Sequence, residues 1–248
     1  MAIDTLLFDL DGTLVDQVQP GSPLQFTSLV IRRFWGLTSP WRTWVAGRAA
    51  VHALQHHQSE LTNFEAMIAE FCRHAPVPPE AVRERVLALS EHDFPAMAWR
   101  FGPIPRARET LMLARELGFR LVLATNPTVP LPMTRHRLAW AGLADIEWAY
   151  LTHPQIMTRT KPDVAYYHEL LAKLDCGPER CLMVGNDFRK DLPAMEAGIR
   201  TFLLDRPMTP KAQRARAKYE PDHFGSYDDL MAVLRAIAAE RDTAALPG

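Results

Sequence analysis

Four short stretches of the chain are almost wholly apolar and run into polar residues. They are residues 3–8, followed by Asp9; 119–125, followed by Asn126 and Pro127; 181–184, followed by Gly185, Asn186 and Asp187; and 200–204, followed by Asp205. None shows a sustained alternation of polar and apolar side chains. A strand with one wet face would alternate, so these runs predict strands buried on both faces, as in a parallel sheet. Helical patterns separate them. Residues 107–117 are rich in Leu, Ala, Glu and Arg and stop at Gly118; 133–140 stop near Gly142; 164–174 follow Pro162 and Asp163; 192–197 stop at Gly198; 228–240 close the chain, with 241–248 expected to fray. Glycine at the end and proline near the start are ordinary helix punctuation. Strand alternating with helix predicts an α/β fold: a Rossmann-like parallel sheet with helices on both faces.

Residues 16–103 read differently. They carry helical patterns at 25–34, 63–72 and 80–89 but no convincing strand. Prolines punctuate them at Pro20, Pro23, Pro76, Pro78, Pro79, Pro103 and Pro105. The expectation is a helical domain (16–103) inserted into a discontinuous core made of 1–15 and 104–248.

Composition narrows the function classes. The 248 residues are 48% hydrophobic and 23% charged, with a formal net charge of -1 and no block of like charge. No nucleic-acid or membrane partner is suggested. Cys72, Cys176 and Cys181 are odd in number and lack a CxxC spacing, which argues against a disulfide framework or zinc knuckle and for a reducing compartment. The N-terminal residues lack a basic segment followed by a long apolar one, and no apolar run reaches the roughly 20 residues that cross a bilayer. A soluble, cytoplasmic protein is the expectation.

The chemistry-bearing residues cluster at the ends of the predicted strands, where an open parallel sheet binds its ligands. They are Asp9 and Asp11; Thr125 and Asn126; Lys161, just before Pro162; and Asp187 with Asp191. Taken singly each has a bland reading: an acidic turn, a loop start, a solvated lysine, a wet helix face. Their joint order is what carries weight. Asp9-Leu-Asp11-Gly-Thr-Leu-Val-Asp16 resembles the first motif of the haloacid dehalogenase (HAD) superfamily. Ala124-Thr125-Asn126 resembles its second, Lys161-Pro162 its third, and Val184-Gly185-Asn186-Asp187 with Asp191 its fourth. The insertion site matches the C1 helical cap of that superfamily.

This resemblance implies a magnesium-dependent phosphatase acting through a phosphoryl-aspartate. Physical chemistry supports the same reading of the residues. Phosphoryl transfer needs an in-line nucleophile and neutralisation of the phosphoryl oxygens, and a carboxylate such as Asp9 divides one hard step into two. Asp11, two residues on in extended chain, projects to the same side and is placed to protonate the leaving alcohol and later to take a proton from water. Thr125 and the Asn126 amide are placed to hold a phosphoryl oxygen. Two carboxylates would repel a phosphate dianion, and a hard cation such as Mg2+ answers that. The resemblance implies as its ligands the Asp9 carboxylate, the Asp11 backbone carbonyl and an acid of the fourth motif. Because Asn186 stands directly after Gly185, Asp187 is the expected third ligand, Asp191 a member of its outer shell, and Asn186 a weaker candidate. Lys161 is implied as the cation bridging nucleophile and phosphate.

Other features carry less. His52, His56 and His57 have a zinc-compatible spacing but no further ligand placed to complete a site, so a solvated face is favoured. Trp35, Trp41 and Trp44 could line a pocket; packing among helices is favoured. Arg48 could meet an anionic substrate group; a surface charge is favoured slightly. The absence of lysine before Lys161 argues against Schiff-base chemistry in the insertion, and Asp11 argues against the dehalogenating relatives, which lack a second aspartate. A phosphosugar mutase and a non-catalytic binding protein on the same fold stay open. The substrate class expected is a small phosphorylated metabolite, such as a sugar or nucleotide monophosphate.

Overall fold

The four apolar runs form neighbouring strands of one sheet in the computed structural model, which describes residues 3–18, 23–207, 214, 216 and 218–245. They are β1 (Thr5–Phe8), β4 (Arg120–Leu123), β6 (Cys181–Gly185) and β7 (Arg200–Leu204). Two short edge strands complete it, β5 (Tyr150–Leu151) and β8 (His223–Gly225). The order is β5-β4-β1-β6-β7-β8, and every neighbouring pair is parallel. β1 lies between β4 and β6, and all four of its residues are buried. The edge strands escape sequence reading because two or three residues show no period.

Side-chain alternation sends successive strand residues to opposite faces. Leu6 and Phe8 pack with Leu111, Leu138, Leu230 and Leu234; Leu7 and Met183 pack with Tyr166, Tyr167 and Leu170. The first face is covered by α5 (Ala107–Glu116), α6 (Leu131–Trp140) and α8 (Tyr227–Ala245), the second by α7 (Val164–Leu174). Helices therefore lie on both faces, as the pattern predicts. Two expectations are corrected. Residues 192–197 form a 3₁₀ turn containing Pro193 rather than an α-helix. The expected fraying from 241 does not occur through Ala245. Arg241 donates to the Leu117 carbonyl and its guanidinium lies 5.1 Å from the Phe119 ring, so contacts with the core hold the last turns. Residues 246–248, like Pro20, lie outside the described residues.

Between β2 (Val15–Gln17) and β3 (Phe101–Pro103) the described chain is helical. It forms α1 (Pro23–Arg33), α2 (Pro40–His56), α3 (Asn63–His74) and α4 (Pro79–Ala88), then a π-helical turn and a 3₁₀ stretch to Arg100. β2 and β3 pair antiparallel, clipping the start of this layer to its end. α2 was not foreseen at its full 17 residues; Ser39 caps it by accepting from the Arg42 amide at 3.4 Å. The layer has its own apolar cluster around Phe34, Phe64, Ile68 and Phe71, and a second cluster joins Leu29, Leu89 and Phe94 to Met133 of α6. The expected packing role of the tryptophans is not found. Trp35 and Trp41 are each 69% exposed and Trp44 is 38% exposed, with Trp41 and Trp44 stacked on one another at 5.0 Å. Trp35 stands in the turn after α1, and of the two on α2 only Trp44 reaches inward, to the edge of the space between the helices.

Candidate active site

The carboxyl ends of β1, β4 and β6 converge with the loop before α7. Lys161 is the hub. Its side chain is fully buried, and Nζ donates to Asp9 Oδ1 at 3.0 Å and to Asp191 Oδ1 at 2.7 Å. Burial opposes the ammonium charge, but Asp191 and Asp9 outweigh it and hold the lysine pKa well above its usual value. For Asp9, burial pushes the carboxyl up and Lys161 pulls it down; Asp191 and Asp11 add upward pressure, and the balance stands at about 7. Two carboxylates share one ammonium, so the buried trio carries excess negative charge when both acids are ionised.

Asp191 is fixed on its other side as well. Its Oδ2 accepts from the Asn186 and Asp187 amides, both at 3.0 Å. This close approach needs Gly185: a Cβ there would stand 2.2 Å from Asp191 Oδ2. Gly12 plays the same part in the first motif, with φ at +84° and a Cβ position 2.3 Å from Asn186 Nδ2. Asn186 thus lies against the Asp9–Gly12 turn, and its Oδ1 accepts from Thr13 Oγ1 at 3.2 Å. Asp187 has a different engagement: its Oδ1 caps the following turn, accepting from the Arg189 amide at 2.8 Å and the Lys190 amide at 3.2 Å.

Asp11 is half-exposed and gripped by a residue that sequence reasoning missed. Arg137 of α6 is buried and its Nη1 donates to both Asp11 oxygens at 2.7 Å. Its Nε reaches the Met133 carbonyl one turn back, and Nη2 reaches Thr134. α6 offers both Arg135 and Arg137; only the tertiary packing selects which one turns inward to meet Asp11, 126 positions earlier in the chain. Thr125 is buried, and its carbonyl accepts from Thr152 Oγ1 at 2.7 Å and Tyr166 Oη at 3.0 Å. Asn126 Oδ1 accepts from the Lys161 amide at 3.1 Å, so the second motif positions the third. Tyr167 Oη donates to the Lys190 carbonyl at 2.6 Å. The adjacent tyrosines of α7, read only as helical residues, therefore brace the second and fourth motifs.

The structure brings together Asp9, Asp191, Lys161, Asn126, Asn186 and the Gly12 turn. Among the described residues, no three His, Cys, Asp or Glu side chains converge to hold a metal. The available donors are instead mixed oxygens. Asp9 Oδ2 and the Asp11 carbonyl accept no hydrogen bond among the described residues, and the Asn186 amide packs on Gly12, the residue after Asp11. One carboxylate, one carbonyl and one amide suit a hard divalent ion that keeps several waters. The His52 and His56 rings lie 4.7 Å apart, tilted at 53°, while both nitrogens of His57 engage Ser59 and Asn63. No helix among the described residues is long and apolar enough to cross a membrane.

A family model described as haloacid dehalogenase-like hydrolase matches residues 3–198. A ribulose-1,5-bisphosphate 5-phosphatase of Halopiger xanaduensis is 29% identical over 154 residues, 58% of this chain and 63% of that protein. The chain thus spans less than two thirds of that relative. A pyrophosphatase (PpaX) of Anoxybacillus flavithermus is 26% identical over 253 residues, covering 94% of this chain and 98% of the relative. An L-2-haloacid dehalogenase of Xanthobacter autotrophicus superposes with a TM-score of 0.53 at 16% identity, over 94% of this chain and 98% of that one, a likeness of fold alone. The family match takes in all four strand-end motifs and the helical layer between them, and the chain belongs to the haloacid dehalogenase-like hydrolases.

Proposed function

We propose that this hydrolase cleaves small phosphate monoesters through a phosphoryl-aspartate on Asp9. One observation carries the reading: a buried lysine is locked between Asp9 and Asp191, while a second acid, Asp11, stands two residues along, outside that lock. A carbon–halogen hydrolase has no use for the second acid; a phosphatase needs it. The named relatives supply the same direction, since both are phosphatases of small phosphorylated compounds by name.

In the first half-reaction Asp9 Oδ1 attacks phosphorus in line, the ester P–O bond breaks, and the leaving oxygen takes the proton of the Asp11 carboxyl. In the second, water attacks the phosphorus of the acyl phosphate, Asp11 takes its proton, and the bond to Asp9 breaks to give inorganic phosphate. Arg137 Nη1 holds both Asp11 oxygens in the resting arrangement. The first half requires that grip to open. Lys161 keeps positive charge on the Asp9–phosphoryl oxygens throughout, and the Thr125 hydroxyl and Asn126 N–H groups are donors for a phosphoryl oxygen. Mg2+ would be held by Asp9 Oδ2, the Asp11 carbonyl and the Asn186 amide oxygen, with Asp191 ordering the loop behind them. Bound there, it supplies the charge that keeps Asp9 ionised and screens the phosphate. Asn186 is favoured over Asp187 because its side chain lies against the Gly12 turn, where its oxygen accepts from Thr13 and keeps a second lone pair, whereas the Asp187 carboxylate caps its own turn. The helical layer is the cap that limits access.

The test is phosphate release from p-nitrophenyl phosphate and a panel of phosphorylated metabolites, with and without Mg2+. Turnover that disappears with EDTA and in Asp9→Asn supports the reading. Turnover that survives Asp9→Asn, or no release from any ester, overturns it.

A further inference from the structure

The helical layer and the core enclose two chambers that meet at Leu54 and Gln55 of α2. One, of about 490 Å³, is polar and contains Lys161 and Asn126 together with Arg159, Arg189 and His57. The other, of about 470 Å³, is walled mainly by aliphatic and aromatic side chains of α1 to α4, with Arg48, His52 and Gln55 of α2 along one side, so Arg48 is not the plain surface charge favoured above, and it is floored by Val129, Pro130 and Met133 of the core. Its size lies within the roughly 300–1,000 Å³ of organic ligand sites. The space exists because of α2: Thr43, Gly47 and Ala50 succeed one another on the face that lines it. A Cβ added at Gly47 would meet nothing within 4 Å. Thr43 is 1% exposed, and its hydroxyl has no hydrogen-bond partner among the described residues.

The site chemistry says which chamber receives the alcohol. The apolar chamber reaches the second motif, because Thr128, Val129 and Pro130, two to four residues after Asn126, line it. Lys161 and Asn126, which face the phosphoryl group, line the polar one. Building on the phosphatase reading above, we infer that the preferred substrate is the phosphate monoester of an apolar alcohol. Its alkyl or aryl body fills the α1–α4 chamber. A sugar is a poor occupant. Each of its hydroxyls buried against this wall without a partner costs roughly tenfold or more in affinity.

Kinetics on ethyl, butyl, hexyl and octyl phosphate, set beside ribose 5-phosphate and ribulose 1,5-bisphosphate, test this. The expected kcat/KM rises about two- to fourfold per added methylene until the chamber is full. Gly47→Phe places a ring in the empty space and should bring the octyl-to-ethyl ratio down to near one. Gly47→Leu is the smaller plug should the phenylalanine variant fail to fold, as judged by its melting temperature. A flat chain-length profile overturns the inference. So does a profile that persists in a folded plug variant, or sugar phosphates turned over tenfold faster than octyl phosphate, since each of these leaves the phosphatase reading intact. No phosphate release from any ester overturns both.

Discussion

At the strand ends, Lys161 is answered by two carboxylates, Asp191 by an ammonium and two amides, and Asp11 by a buried guanidinium. Across the groove, Thr43 of α2 keeps a buried hydroxyl, unpartnered among the described residues, beside the open space at Gly47. The sheet layer fixes polar atoms to within hydrogen-bond tolerance; the helical layer leaves volume. These are two ways of serving a reaction. Bond making needs charges that do not move when the substrate arrives, whereas choosing a substrate needs a space whose walls match it. The contrast can be broken from either side.

The largest effect is expected at the nucleophile. Asp9→Asn should lower kcat by at least about 10³-fold. The fold should not suffer with it, because the substitution leaves Lys161 and Asp191 as a one-to-one buried pair. A melting temperature equal to or above that of the wild type is expected. A large drop would mean that Asp9 is held there for stability rather than chemistry. Lys161→Met makes the opposite cut: two buried acids lose their shared cation, at a cost of about 3–5 kcal/mol in denaturant unfolding. If stability is unchanged, water already reaches the trio and the core is not the rigid partner described.

Asp11→Asn should lower kcat by roughly 10²–10⁴-fold, the usual worth of a proton donor and acceptor. With a leaving group as acidic as p-nitrophenol the first half-reaction needs less help. The loss there should therefore be smaller than with an alkyl ester. Equal losses on both esters would remove Asp11 from leaving-group protonation.

The helical layer also has its own ion pairs, and they respond to acid. Arg33 donates to Asp93 at 2.5 Å, tying α1 to the turn after α4, and that hydrogen bond holds the Asp93 carboxyl below the usual carboxylate range. A carboxylate depressed in the folded state contributes its stability in full above the unfolded pKa, and that contribution is lost as pH falls through the folded value. Asp93→Asn should therefore cost about 1.5–3 kcal/mol at pH 7. The two proteins should converge as the pH is taken below the carboxylate range. A gap that persists in acid would assign the loss to packing.

How much of this was legible in the sequence follows the same divide. The strand-end residues could be read because each motif is local: an apolar run of four or five residues, then an acid, a threonine or a glycine. Asp9, Asp11, Thr125 and Asp191 were named from such runs, and Lys161 from its place before Pro162 in the motif order. Arg137 was not, because nothing near it in sequence marks the helix face that meets Asp11. Tyr166 and Tyr167 were not, because two apolar rings in a helix read as core until their hydroxyls are seen on Thr125 and Lys190 carbonyls. Asn186 and Asp187 exchanged emphasis for a related reason. Adjacent residues point in different directions, and the Gly12 turn determines which of them is close. The empty chamber left no sequence signal, since small residues on a helix face predict close packing as readily as space.

Gly47 gives the smallest effect and the finest test of that last point. Glycine inside a helix is unfavourable by about 0.5–1 kcal/mol relative to alanine, because it gives up more backbone freedom on folding. If its Cα faces open space, as the geometry shows, an added methyl meets no atom and Gly47→Ala should recover that amount. For a chain of this size the gain is about 1–4 °C in melting temperature. A tightly packed helix face would give the reverse, because the methyl would collide and the gain would become a loss. The sign of one small shift therefore distinguishes a chamber kept open beside the reacting groups from an ordinary helix interface.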